Sequence, residues 1–145
     1  MDSVHAIARA LFIIHHRLAG RYGPLTRPQL RILSLLAQSS KTVSELADQL
    51  QISSPGVTQA LDKLQLQNYI RREPVLEDQR AVRIFCTPAG AEALHEALRH
   101  YEQRVATLLT NLSNTHLETL SGILQLVVSD DNDTLERYET KEREQ

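Results

Sequence analysis

The chain carries one cysteine, Cys86, so no internal disulfide can form, which agrees with a reducing compartment. It has no apolar run of membrane length; the longest lies at residues 10–14. The first twenty residues lack a basic stretch followed by a clean apolar block, so no signal peptide is expected. A soluble, cytoplasmic protein with no membrane partner is the expectation. Strong net charge is also missing, at −2. No internal repeat or low-complexity block occurs. Nor is there a Gly-rich phosphate loop, a nucleophile elbow or a set of residues at metal-ligand spacing, so neither an enzyme nor a cofactor nor a bound metal is expected. The six histidines do not change this. His15 and His16 are adjacent and point apart on a helix, and His95 and His100 are poorly spaced for one ion. Surface or capping roles are expected for them.

What is present is 145 residues, 41% of them hydrophobic, which suits one domain with a core and not a disordered chain. Charge is unevenly spread. Residues 21–90 hold nine Lys and Arg against six Asp and Glu, whereas residues 91–145 hold five against eleven. A near-neutral total thus conceals a mildly basic middle and an acidic tail.

Helical periods dominate. Over residues 3–19, Val4, Ile7, Leu11, Ile14 and Leu18 recur at spacings of three and four, with Phe12 and Ile13 adding apolar surface outside that stripe. Gly20 and Gly23-Pro24 close the segment. Thr26 with Gln29, and Thr42 with Glu45, each read as a capping box that opens a helix, the first with Pro28 tolerated in its first turn. A further helix starts at Ser53 or Ser54. Its Val57, Ala60, Leu61 and Leu64 share one face, opposite Pro55, Gly56, Gln59, Asp62 and Lys63. Leu66 falls on the polar side without an evident reason. Residues 69–73 and 82–86 are short, β-branched or aromatic, and predict a hairpin with a projecting loop over 74–81. Thr87-Pro88 starts a long helix, where Leu94, Leu98, Tyr101, Val105, Leu108 and Leu112 make a heptad seam. Leu117, Leu120, Leu124 and Val127 form a last stripe, and the tail beyond Glu136 is expected to fray.

Helix, short helix, helix and two-stranded hairpin is the order of a winged helix-turn-helix, whose second helix of the pair enters the DNA major groove. The small residues Ser53, Ser54, Pro55 and Gly56 would let that helix end approach a phosphate, which its N–H groups and positive dipole end favour. Thr58, Gln59 and Lys63 would reach base edges; Gln pairs with adenine and Lys with guanine. A generic helix start with a solvated polar face would look similar. The hairpin that follows directly shifts the balance towards DNA.

The segments TVSELADQLQISSPGVTQALDKLQLQNYIRR and EDQRAVRIFCTPAG resemble the MarR family of bacterial transcriptional regulators. Matching features are Glu45-Leu46-Ala47, the Ser-initiated helix with Val57-Thr58 and Leu61-x-x-Leu64, Arg71-Arg72, Asp78-Gln79-Arg80, and Cys86 to Gly90. The likeness is close over residues 25–90. It implies a mainly α fold: a winged helix-turn-helix lobe over 21–90, and a dimerisation lobe from residues 1–20 and 91–138, with 139–145 as a frayed tail. It implies a major-groove surface of Ser53, Ser54, Pro55, Gly56, Thr58, Gln59 and Lys63. Arg80 would enter the minor groove, braced by Asp78, and Arg72 and Arg83 could meet phosphate. A cross-strand partner or solvent is the other expectation for those two. Gln79 stands where the family often has a second Arg, which should weaken salt dependence. Asn68 replaces a Gly and should keep the left-handed turn. Val75 and Leu76 are expected to fold back on the base of the wing with Leu66.

Two such helices on a two-fold axis would read half-sites of a pseudo-palindromic duplex about 34 Å apart. The greasy first helix and the seam exceed what the lobe needs, so a homodimer is expected. The resemblance further implies a repressor released by a small aromatic or weak-acid effector, for which His15, His16 and Tyr22 are the candidates. Cys86 reads as a buried, inert thiol. The competing reading is a winged helix that binds a protein partner and no specific DNA.

Overall fold

Side-chain caps and left-handed turns set most of the element boundaries. The computed structural model describes residues 2–75 and 78–129, with residues 78–80 in backbone only. It has two compact units, Met1–Val105 and Ala106–Gln145.

In the first unit, α1 spans Asp2–Arg17, starting one residue before and ending two residues before the sequence expectation, and Leu18 beyond it is buried. A two-residue hairpin follows, β1 (Arg21–Tyr22) with β2 (Leu25–Thr26), turning at Gly23 with φ +54. No sequence signal marks this hairpin, because strands of two residues carry no alternation to detect. Thr26 caps α2 (Arg27–Gln38) and Thr42 caps α3 (Val43–Leu50), and both capping boxes are complete, with Gln29 and Glu45 returning bonds to the cap N–H groups. α3 ends on Gln51 in the left-handed region. α4 spans Ser54–Leu66 and ends in a turn whose Asn68 has φ +61, the conformation expected of the residue replacing a Gly.

β3 (Ile70–Val75) and β4 (Asp78–Cys86) form the wing. The strands run further than the sequence suggests, through Val75 and from Asp78, with the register shifting between Pro74 and Val75. A two-stranded ribbon has water on both faces, so its distal charged residues need no apolar alternation. Lys41 adds a third edge: its carbonyl accepts from Ile84 N–H at 2.7 Å and its N–H donates back at 3.2 Å. Ile32, Leu33, Leu46, Val57, Leu61, Leu64 and Ile84 make the core beneath α4.

α5 (Pro88–Leu108) starts against the wing. Thr87 Oγ1 donates to the Asn68 carbonyl at 2.6 Å, and the Gly90 N–H donates to Thr87 Oγ1 at 3.0 Å. A Cβ at Gly90 would stand 2.1 Å from the Tyr69 carbonyl oxygen, so only glycine fits. Ala93, Leu94 and Ala97 are buried, so the first rung of the heptad seam belongs to the chain's own core. The helix stops at Leu108, leaving Leu112 in the connection. There the Thr110 hydroxyl bonds the Ala106 and Thr107 carbonyls, a local alternative to helical pairing.

In the second unit, Ser113 caps α6 (Asn114–Val127) by accepting from the His116 N–H. The expected frayed tail lies outside the described residues. Leu66, expected to pack under a fold-back of Val75 and Leu76, is instead 85% exposed; Val75 is half-buried and Leu76 lies outside the described residues.

Candidate nucleic-acid interface

The start of α4 is built from its own side chains. Ser53 is extended and its Oγ accepts from the Gly56 N–H at 3.2 Å. A Cβ on residue 56 would stand 3.1 Å from that oxygen, so a larger residue there would crowd the cap. Pro55 has no N–H and that of Gly56 is taken by the cap, so Ser54 is the donor left at the helix tip. Ser53, Ser54 and Pro55 are exposed and Gly56 is half-buried. Val57, Leu61 and Leu64 point fully into the core. Burial of that stripe fixes the rotation of α4, and Thr58, Gln59, Asp62 and Lys63 consequently face outward. The structure thus brings the seven sequence-assigned residues of this helix onto one accessible end and face.

Among the described side chains of the wing, Arg71, Arg72 and Arg83 are engaged. Arg72 on β3 donates from Nη2 to Asp62 Oδ1 at 2.9 Å and from Nη1 to Gln65 Oε1, both on α4. Arg83 on β4 donates to Ser40 Oγ at 2.9 Å and to the Ser40 carbonyl at 2.7 Å, with Glu45 at 4.0 Å. These partners come from neighbouring helices and connections, not from across the hairpin. Arg71 pairs with Glu73 at 2.6 Å and lies 4.7 Å over the Phe85 ring. The side chains of Asp78 and Arg80 lie outside the described residues.

His15 and His16 are exposed on α1. Tyr22 is 1% exposed; its hydroxyl donates to the Leu18 carbonyl and its ring meets Tyr101 edge-on at 5.3 Å. Sequence reasoning misses Arg104. Its Nη2 donates to the carbonyls of Arg17 and of Ala19, the latter at 3.0 Å, and its guanidinium lies 4.7 Å over Tyr22. It thereby caps the end of α1 from α5. No local pattern marks a contact between residues so far apart in the chain. Cys86 is half-buried at the end of β4, with Sγ 3.4 Å from the Thr87 carbonyl.

Residues 24–81 match the model of the MarR family. The transcriptional regulator ZitR of Lactococcus lactis subsp. cremoris is 36% identical over 83 residues, 57% of either chain. Over this stretch the chain is similar to the MarR family. It spans about half the length of the curated relatives it matches. Among solved MarR-type structures, the reduced form of MarR from E. coli aligns with a TM-score of 0.73 at 26% identity, covering 83% of this chain and 95% of that one. A mutant MarR from E. coli complexed with operator DNA aligns at 0.64 and 21% identity, covering 88% and 96%. The mainly helical winged helix-turn-helix fold is common to them and to this chain.

Proposed function

We propose that this protein is a regulator of the MarR type: a sequence-specific, duplex-DNA-binding transcriptional repressor that acts as a homodimer. The observation that carries the reading is the outward stripe of Thr58, Gln59 and Lys63, held in phase by Val57, Leu61 and Leu64. A helix in that attitude, beside a two-stranded wing, has the shape and chemistry to enter a major groove. The operator-bound MarR mutant of the same fold supports this. Ser53, Ser54, Pro55 and Gly56 would set the helix end against phosphate, with Arg80 and Asp78 acting from the wing. Arg83 could still reach phosphate, since it is only half-buried.

Dimerism is supported by α1, in which no residue is buried although Val4, Ile7, Leu11, Phe12, Ile13 and Ile14 are apolar. On α6, Ile123, Leu124, Leu126 and Val127 are likewise exposed. Each helix needs a covering surface, and a second copy of the chain would supply one. The proposed lobes are 21–90 for reading and 1–20 with 91–138 for pairing, the start of the latter, Ala93, Leu94 and Ala97, being held in the chain's own core. A small aromatic or weak-acid effector would weaken DNA binding by changing how the reading lobes are held. His15 and His16 are accessible to such a molecule, whereas Tyr22 would first have to release Leu18.

Selection of genomic fragments with the purified protein, followed by footprinting, tests the reading. A protected pseudo-palindrome about 20 base pairs long, two half-sites one helical turn apart, is expected. Salt-insensitive association, or capture of a protein partner unaffected by Lys63→Ala, would favour a protein-interaction module instead.

A further inference from the structure

The outward stripe of α4 contains a residue that does not belong against phosphate. Asp62 lies between Gln59 and Lys63, and its side chain is 61% exposed. A bare carboxylate there would repel a nucleic-acid backbone and would also invite a cytosine amino group. The Arg72 guanidinium meets it. One fork of Arg72 spans one helical turn of α4, binding Asp62 Oδ1 at 2.9 Å and Gln65 Oε1 beyond it. Arg72 itself is the more enclosed partner, at 27% exposure. Both of its terminal nitrogens donate to the helix. The same contact ties the far half of α4 to β3, where the Tyr69 N–H already donates to the Leu64 carbonyl at 3.0 Å.

We propose that Arg72 is a positioning residue that cancels the Asp62 charge and locks the recognition helix to the wing, and is not itself a phosphate contact. The proposal rests on the DNA-binding reading above. Its signature is electrostatic. Each phosphate neutralised by a protein cation contributes about 0.9 to the slope of log K against log salt. An Arg72–Asp62 pair that sums to zero contributes nothing. Removing Arg72 exposes a negative charge, removing Asp62 exposes a positive one, and removing both restores the balance.

The test uses the full chain and a mixed-sequence duplex of about 30 base pairs, long enough to span both half-sites. Binding is followed by fluorescence anisotropy across a salt series. Arg72→Gln should flatten the slope by about 1.8, about 0.9 for each protomer of the dimer, and weaken binding about sixtyfold near 0.1 M salt. Asp62→Asn should steepen it by a similar amount, and the double variant should return to the parent slope. A double variant as flat as Arg72→Gln would make Arg72 a phosphate ligand and overturn the proposal alone. An absence of salt-sensitive binding by the parent protein would overturn the DNA reading, and the proposal with it. If Arg72→Gln does not fold, Asp62→Asn decides by itself. A steeper slope supports the pair, and an unchanged or flatter one overturns it.

Discussion

The core around α4 and the surface of α1 use similar residues to opposite ends. Both helices carry apolar side chains at spacings of three and four. In α4 they are Val57, Leu61 and Leu64, and none is accessible to solvent. In α1 they are Val4, Ile7, Leu11 and Ile14, all exposed, with Phe12 at 78%. The difference lies in what the chain folds over each helix. α2, α3 and the wing enclose α4, whereas α1 is fixed within its unit at its C-terminal end, through Leu18 and the Arg104 cap. An amphipathic period therefore says that a face will be buried, and not that its own chain will bury it.

The largest effect should come from breaking the enclosed region. Gly90→Ala places a Cβ 2.1 Å from a backbone carbonyl that is fixed by the Tyr69–Thr87 pairing. Neither strand nor helix can yield cheaply there, so about 3 kcal/mol of stability should be lost, near the upper end for an overpacked site. Urea unfolding followed by circular dichroism measures it. A change under about 1 kcal/mol, small on the same scale, would show that α5 is not anchored on the Tyr69 turn.

The enclosed region is also the more legible one. Thr26–Gln29 and Thr42–Glu45 are local rules, each satisfied within four residues, and both boxes form as read. Asn68 and the start of α4 are local in the same sense. What escapes the sequence depends on distance or on length. Arg104 reaches Ala19, and Arg83 reaches Ser40, across separations of 85 and 43 residues. Arg72 reads from sequence as a phosphate or cross-strand contact, because the packing of β3 beside the last turns of α4 is a tertiary fact. The heptad seam promises too much for the same reason: Leu94 has the right spacing for a partner helix, but its own lobe covers it first.

The next effect sharpens the comparison from the exposed side. Phe12→Glu puts a charge on the open face of α1 and touches nothing in the core around α4. If that face pairs with a second copy, the dimer should be weakened by about 2–3 kcal/mol, the scale of an aromatic anchor at an interface centre. Light scattering should show monomer at concentrations where the parent is dimeric, with the unfolding midpoint of the reading lobe little changed. A variant that stays dimeric would move the interface away from α1. A smaller, more selective effect belongs to the outward stripe. Lys63→Ala should cost about 1–3 kcal/mol of DNA affinity per protomer, and lower the salt slope by about 1 per protomer, about 2 for the dimer, if Lys63 meets phosphate instead of a base.

The smallest effect tests the tip of α4, where stability and recognition share one residue. Ser53 Oγ holds the Gly56 N–H, so Ser53→Ala removes a cap and frees a donor at the same position. Loss of the cap should cost ~1 kcal/mol of folding stability. The freed N–H would then point where a phosphate is proposed to sit, and a phosphate oxygen can take the place of the lost hydroxyl. Stability of the free protein should therefore fall more than DNA affinity does. Two measurements on one variant, unfolding without DNA and anisotropy with it, separate the contributions. Equal losses in both would mean that the hydroxyl itself, and not the helix end, is what the backbone meets.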